Sequence, residues 1–127
     1  MKIFSILTVW ILILSGCYST DSLEIISIKP DLPGTLKTGQ FVNVQVHYEI
    51  KSVENARIWV RPYTNGKKSK GFTAHASPLY DKGEGEIVGD FTVGRSGITD
   101  EIRVVMLNEG AGYISTISKP IEIKWED

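Results

Sequence analysis

Between residues 57 and 70 the chain carries Arg57, Trp59, Arg61 and Tyr63 at every second position, with Lys67, Lys68 and Lys70 just beyond them. Side chains on an extended strand alternate between its two faces, so these four share one side. There a guanidinium and an aromatic ring two residues apart can stack as a cation–π pair worth roughly 0.5–2 kcal/mol. Arg, Trp and Tyr are also the residue types that dominate binding hot spots. The candidate binding face is therefore Arg57, Trp59, Arg61 and Tyr63, with Lys67 and Lys68 at its end. Two other uses of the same alternation stay open: a sheet surface whose cations are satisfied by their own rings, and a strand that turns Trp59 into the core.

Other chemistries find little support. A zinc site needs three or four converging His, Cys or carboxylate ligands, whereas the chain has two histidines, His47 and His75, and one cysteine, Cys17. Nucleophilic catalysis needs a nucleophile beside a positioned base. No serine sits in a Gly-x-Ser-x-Gly elbow, which belongs to a strand-to-helix turn. The carboxylate pairs Glu84/Glu86 and Asp100/Glu101 fall at turns, where such residues are solvated. Asp81, Glu84, Glu86 and Asp90 suit calcium by type but lack the spacing of a calcium loop. The reading is a protein that is not an enzyme, with no catalytic residues, no metal site and no cofactor.

Cys17 has a different context. Met1 and Lys2 precede an apolar run over residues 3–14 that is interrupted only by Ser5 and Thr8, the layout of a secretory signal. About twenty apolar residues are needed to span a bilayer, and Ser15 and Gly16 end this run well short of that. Leu14-Ser15-Gly16-Cys17 resembles the lipobox of bacterial lipoproteins: leucine, two small residues, then the acylated cysteine. The resemblance implies cleavage between Gly16 and Cys17, a diacylglyceryl thioether on Cys17 and palmitate-type acyl chains. It places the protein as exported and lipid-anchored to the bacterial cell envelope, on the outer membrane if the organism is Gram-negative, because Tyr18 stands where an aspartate would signal inner-membrane retention. Each buried methylene adds about 0.8 kcal/mol, so two or three long chains hold essentially irreversibly. The organisation expected is a signal peptide over 1–16, the lipidated cysteine and a short polar tether over 17–22, and one domain over 23–127. Removing Lys2 from the fourteen Lys and Arg leaves thirteen against fifteen Asp and Glu, a near-neutral chain with no electrostatic pull toward nucleic acid.

These residues need strands to position them. Residues 23–29 form a short one, with Ile26 and Ile28 opposed to Ser27 and Lys29, and Pro30 to Gly34 punctuate it. Over residues 41–50, Val42, Val44, Val46, Tyr48 and Ile50 face one way and Asn43, Gln45, His47 and Glu49 the other, a half-buried antiparallel strand. A polar link over 51–55 is short enough to make the strand over 56–63 its near neighbour, with Ala56, Ile58 and Val60 inward. Asn65-Gly66 is a hairpin turn signal, and Pro78 limits residues 71–80 to an edge. Further expectations are a turn over 81–85, a strand over 86–93 with a bulge at Gly89, a turn over 94–99, a strand over 101–107, and final strands over 113–117 and 121–125 split by Pro120.

Seven or eight short strands with turns between them are the pattern of an antiparallel β-sandwich, with an open barrel the alternative. The chain resembles bacterial Ig-like and fibronectin-III-like modules, without the cysteine pair of antibody domains. The expected function is a non-enzymatic envelope lipoprotein that presents its Ig-like domain to a protein or glycan. The alternatives are an envelope hydrolase or an accessory subunit of one, and a peptidase inhibitor. For the last, Arg61-Pro62-Tyr63 and Gly83-Glu84-Gly85 resemble loops of chagasin-like cysteine-peptidase inhibitors, although in that family the Arg-Pro-aromatic piece comes late and an Asn-Pro-Thr-Thr-Gly loop, missing here, completes the site.

Overall fold

The computed structural model describes residues 20–127; the signal segment, Gly16 and Cys17 lie outside the described residues. From there on the fold is all-β: β1 (Ser22–Lys29), β2 (Gly34–Lys37), β3 (Val42–Thr64), β4 (Lys67–Lys68), β5 (Phe72–Thr73), β6 (Tyr80–Val93), β7 (Gly97–Asn108) and β8 (Tyr113–Glu126). The long strand β3 organises it. Its first half pairs with β1 on one side and β6 on the other, from Val42↔Phe91 to Ile50↔Gly83, and its second half pairs with β7, from Ala56↔Asn108 to Tyr63↔Glu101. Pairing continues outward from β7 to β8 and then to β2, the last step parallel.

The expected pair of neighbouring strands is thus one continuous strand whose halves do not pair with each other. The polar link is a wide bulge: five residues from Ile50 to Asn55 pass while β6 moves only from Gly83 to Asp81. An unpaired insertion of this kind bends a strand sharply, and here it turns the second half of β3 back over the first. A Cβ on Gly89, the partner of Val44, would lie 2.4 Å from Val60 Cγ2. The result is a β-sandwich, antiparallel except where β2 joins β8, with β1, the first half of β3, β6 and β5 in one layer and β2, β8, β7, the second half of β3 and β4 in the other.

Even-numbered residues of both halves fill the space between the layers. Val42, Val44 and Val46 are fully buried, as are Ile50, Ala56 and Val60 to within 1%, and they meet Phe91, Ile102, Val104, Met106, Ile123 and Trp125. Trp125 closes the core at one end, edge-on to Phe91 at 6.5 Å. No disulfide is needed when this much apolar surface leaves water, at about 25 cal/mol per Å².

Several local expectations change. Residues 81–85 belong to β6 rather than to a turn, because Gly83 adopts φ +128° within the ladder and the Tyr48 ring occupies the space above Gly85. Gly89 is in register, not bulged; it is there because Val60 leaves no room for a side chain. Pro120 does not divide β8: it lies at the irregularity between Thr99↔Ile123 and Glu101↔Pro120, where its missing N–H is tolerated. Ile26 points outward at 44% exposure because β1 carries its own bulge between Ile25 and Ser27. Gly34–Lys37 forms a strand that the sequence hides, with only Leu36 buried.

The first strand starts at Ser22, one residue ahead of residue 23, and the Asp21 carboxylate accepts from the Lys51 and Ser52 N–H groups at 2.6 and 3.0 Å. Partial desolvation pushes the Asp21 pKa up, but the hydrogen bonds from Ser52 and Lys51 outweigh it and hold it below the usual aspartate value. The chain therefore joins the sandwich at the Ile50 end. Replacing Gly89 by Ala should destabilise the domain by about 1–3 kcal/mol through overpacking, and adding Val60→Ala should recover part of that loss. Urea unfolding of the two single variants and the double variant measures this coupling; strictly additive losses would contradict the contact.

Candidate functional site

Odd-numbered residues on the second half of β3 face away from the core. Arg57, Trp59 and Arg61 are each partly exposed there, so Trp59 is not a core tryptophan. The Arg61 guanidinium lies 4.7 Å from the Trp59 ring centre and 5.8 Å from that of Phe72, and its Nη1 donates to the Val60 carbonyl at 2.8 Å. Desolvation draws the Arg61 pKa below its ordinary value, with the charges of Tyr63 and Asp90 opposing. One cation, Arg61, thus lies within cation–π distance of two rings, Trp59 and Phe72.

Tyr63 plays another part. It is only 8% exposed, and Arg103, which sits across from Arg61 on β7, places its guanidinium 3.8 Å from the Tyr63 ring centre. Glu101 holds Arg103 through hydrogen bonds of 3.1 to 3.3 Å, and those bonds raise the Arg103 pKa. Tyr63, Arg103 and Glu101 therefore form a closed set. The open part of the face is Arg57, Trp59 and Arg61. Arg57 Nη1 and Trp59 Nε1 are buried donor atoms without a hydrogen-bond partner, and neither Arg57 nor Arg61 pairs with a carboxylate among the described residues.

Lys67 and Lys68 are not part of that face. They form β4, hairpinned to Tyr63 and Thr64 through Asn65 and Gly66, both at positive φ as the Asn-Gly signal requires. They belong to the end of the sandwich opposite Asp21, beside a polar relay under the hairpin. Trp125 Nε1 donates to Thr99 Oγ1 at 3.0 Å, Thr99 and Ser69 hydroxyls lie 2.9 Å apart, Ser69 and Thr64 hydroxyls 2.7 Å apart, and Thr64 Oγ1 donates to the Ile98 carbonyl at 2.8 Å. The direction follows from one proton per hydroxyl. Since Thr64 donates to Ile98, Ser69 must donate to Thr64 and Thr99 to Ser69. The relay pins the hairpin to β7 and β8.

The outer face of the other layer is carboxylate-rich and internally paired. His47 Nε2 is 3.0 Å from Glu84, Gln45 donates to Glu86 at 2.7 Å, and His75 Nδ1 is 2.7 Å from Asp90 while its ring stacks on Phe41. Asp81, Glu84, Glu86 and Asp90 are thus spread along β6 instead of converging, and among the described residues no three His, Cys, Asp or Glu side chains form a metal-holding group.

No protein-family model matches the chain, and no curated protein matches it. Phe72 and Arg103 complete the stacks but were not evident from sequence, because their approach depends on which strands become neighbours. For the relay, Thr99→Val should leave the Trp125 indole N–H without its acceptor, costing about 1–3 kcal/mol. At roughly 4–8 °C per kcal/mol for a domain of this size, a thermal melt reads this directly; an unchanged midpoint would contradict the relay.

Proposed function

We propose that this protein is an exported lipoprotein of the bacterial cell envelope, held by acyl chains on Cys17, whose Ig-like domain is a non-enzymatic binding module for an envelope protein or glycan. The observation that carries the binding reading is the donor imbalance on β3. Arg57 Nη1 and Trp59 Nε1, on residues two apart, are N–H donors that no group among the described residues accepts, and Arg61 beside them gives one Nη1 bond to the Val60 carbonyl. A buried donor left unpaired costs about 1–3 kcal/mol, so a ligand rich in acceptors gains from this face more than its contact area suggests. Sugar hydroxyls, carboxylates and main-chain carbonyls all qualify, and the edge of an indole beside a fixed guanidinium suits an apolar ring or chain. His75 and Asp90, 2.7 Å apart, and Ser77 line a pocket with Arg61, but the Ser77 hydroxyl accepts from the Ile58 N–H and donates to the Pro78 carbonyl, so it is not held by the His75–Asp90 pair as a nucleophile would be, which favours the module reading over a hydrolase.

Anchoring rests on the resemblance at Leu14 to Cys17. The clasp at Asp21 leaves residues 18–20 between the acylated cysteine and the fold, a reach of about 10 Å at 3.3–3.6 Å per residue. The domain then rides directly above the bilayer with its Ile50 end down.

Two measurements test these claims. Labelled palmitate should enter the wild type and not Cys17→Ala, which should leave the membrane fraction; equal labelling would refute the anchor. Cross-linked capture from the native envelope should recover a partner with wild type and lose it with a Trp59→Ala, Arg61→Ala double variant that melts normally. Identical recovery from both would show the face to be sheet surface only.

A further inference from the structure

At the end of the sandwich farthest from Asp21, a cleft of about 590 Å³ opens between the β4 hairpin and the β6–β7 turn. Lys67, Lys68, Lys70 and Arg95 line it, and no carboxylate does. None of the four is in an ion pair among the described residues. Asp100, next along the chain from the cleft wall, accepts from the Asn65 N–H at 2.9 Å.

The cleft is built rather than incidental. Arg95 lies across Gly71, where a Cβ would stand 2.9 Å from both its Cγ and Cδ, so only glycine lets the arginine stem pass there. Gly71 is itself at φ +77° and accepts from the Gly94 N–H at 2.9 Å, tying the two walls together. The floor is the relay from Trp125 to Ile98, in which every hydroxyl proton and the indole proton is already donated within the protein. A ligand therefore meets cationic N–H donors, the exposed polar side chains of Asn65 and Ser96, and one exposed apolar side chain, Ile98 at 48% exposure.

We propose that this cleft binds an anionic saccharide, its carboxylates or phosphates on the lysines and Arg95 and an apolar ring face on Ile98. Three considerations select this class. The volume falls within the roughly 300–1,000 Å³ of small-molecule sites, room for a few sugar rings where a single inorganic ion would leave most of it unfilled. Cations distributed over two walls match repeated charge along a polymer, with lysines as adaptable point charges and Arg95 able to grip one oxyanion bidentately. The cleft also lies a strand length from the chain's entry point: Ser22 pairs with Glu49 while the cleft adjoins Val93, two residues past the partner of Val42, about 30 Å away at 3.3 Å per residue. In a protein anchored at its N-terminus, that distance keeps the cleft clear of the headgroups of its own bilayer.

Calorimetric titration of the full chain in neutral detergent tests the proposal. The probes are an oligogalacturonate, a phosphorylated oligosaccharide of equal charge, a neutral maltooligosaccharide and a single-stranded oligonucleotide of equal charge. At least one anionic saccharide should bind while the neutral one does not, and binding should weaken as salt screens the charges. Preference for the first or second probe tells carboxylate from phosphate. A Lys67→Glu, Lys68→Glu, Arg95→Glu variant should lose about tenfold or more in affinity, equivalent to about 1.4 kcal/mol or more, and Lys67→Gln, Lys68→Gln, which leaves the stem over Gly71 in place, should lose part of it with an unchanged melt. Trp59→Ala should bind the saccharide as wild type does, which separates this site from the β3 face. The proposal is overturned if no anionic saccharide binds, if the oligonucleotide binds equally well, or if neither charge variant weakens binding.

Discussion

The structure depends on β3 making a turn that keeps its apolar residues on the inside. Val42, Val44 and Val46 face the core from one layer, Ala56, Ile58 and Val60 from the other, and all six are at most 3% exposed. Between them, the bulge between Ile50 and Asn55 turns the strand back over itself so that the same parity of side chain stays buried on both legs. An unpaired shift of one residue in the second leg would carry Ile58 and Val60 to solvent and Trp59 and Arg61 inward. The contact of Val60 with Gly89 of β6, the partner of Val44, is where the second leg meets the opposite layer, and it leaves no free room for a Cβ.

That constraint reaches the outer surface. Because Ala56, Ile58 and Val60 on the second leg are locked in the core, Arg57, Trp59 and Arg61 project from a backbone with no freedom to rotate. Arg61 is further held by cation–π contacts with Trp59 and Phe72. A face arranged in this way loses little conformational entropy on meeting a ligand, which is the condition under which a few contacts give useful affinity. The polar relay does for the far end what the core does for the strand: it holds the β4 hairpin against β7 and β8 and so sets the spacing of the cations around the cleft.

How much of this was legible in the sequence follows the range of the forces involved. The alternation at Val42 to Ile50 and at Ala56 to Val60, the turn at Asn65-Gly66 and the stacking of Arg61 on Trp59 depend on neighbours two to four residues apart, and all are readable. What depends on partners distant in the chain is not. The two legs of β3 look like adjacent strands until the bulge is seen to turn one over the other. Glycines at 83, 85 and 89 look like turn and bulge signals, whereas in β6 Gly85 and Gly89 make room for Tyr48 and Val60. Pro120 resembles a strand end because a proline that sits at a ladder irregularity has no local mark. Arg103 on Tyr63 and Arg95 over Gly71 are likewise matters of register and loop packing, and Tyr63, placed by spacing on the binding face, is closed by a residue forty positions later.

The most direct test of this account is amide hydrogen exchange along β3 in the native protein. If the two legs are one strand locked by a shared core, the amides of Val44 and Val46 and those of Trp59 and Arg61, whose N–H groups face β7 while that of Ile58 turns to Ser77, open only on global unfolding, with one common free energy and one common response to denaturant. If the second leg exchanges far faster than the first, it is a separately opening unit, and the pre-ordered Arg57–Trp59–Arg61 face described here does not exist.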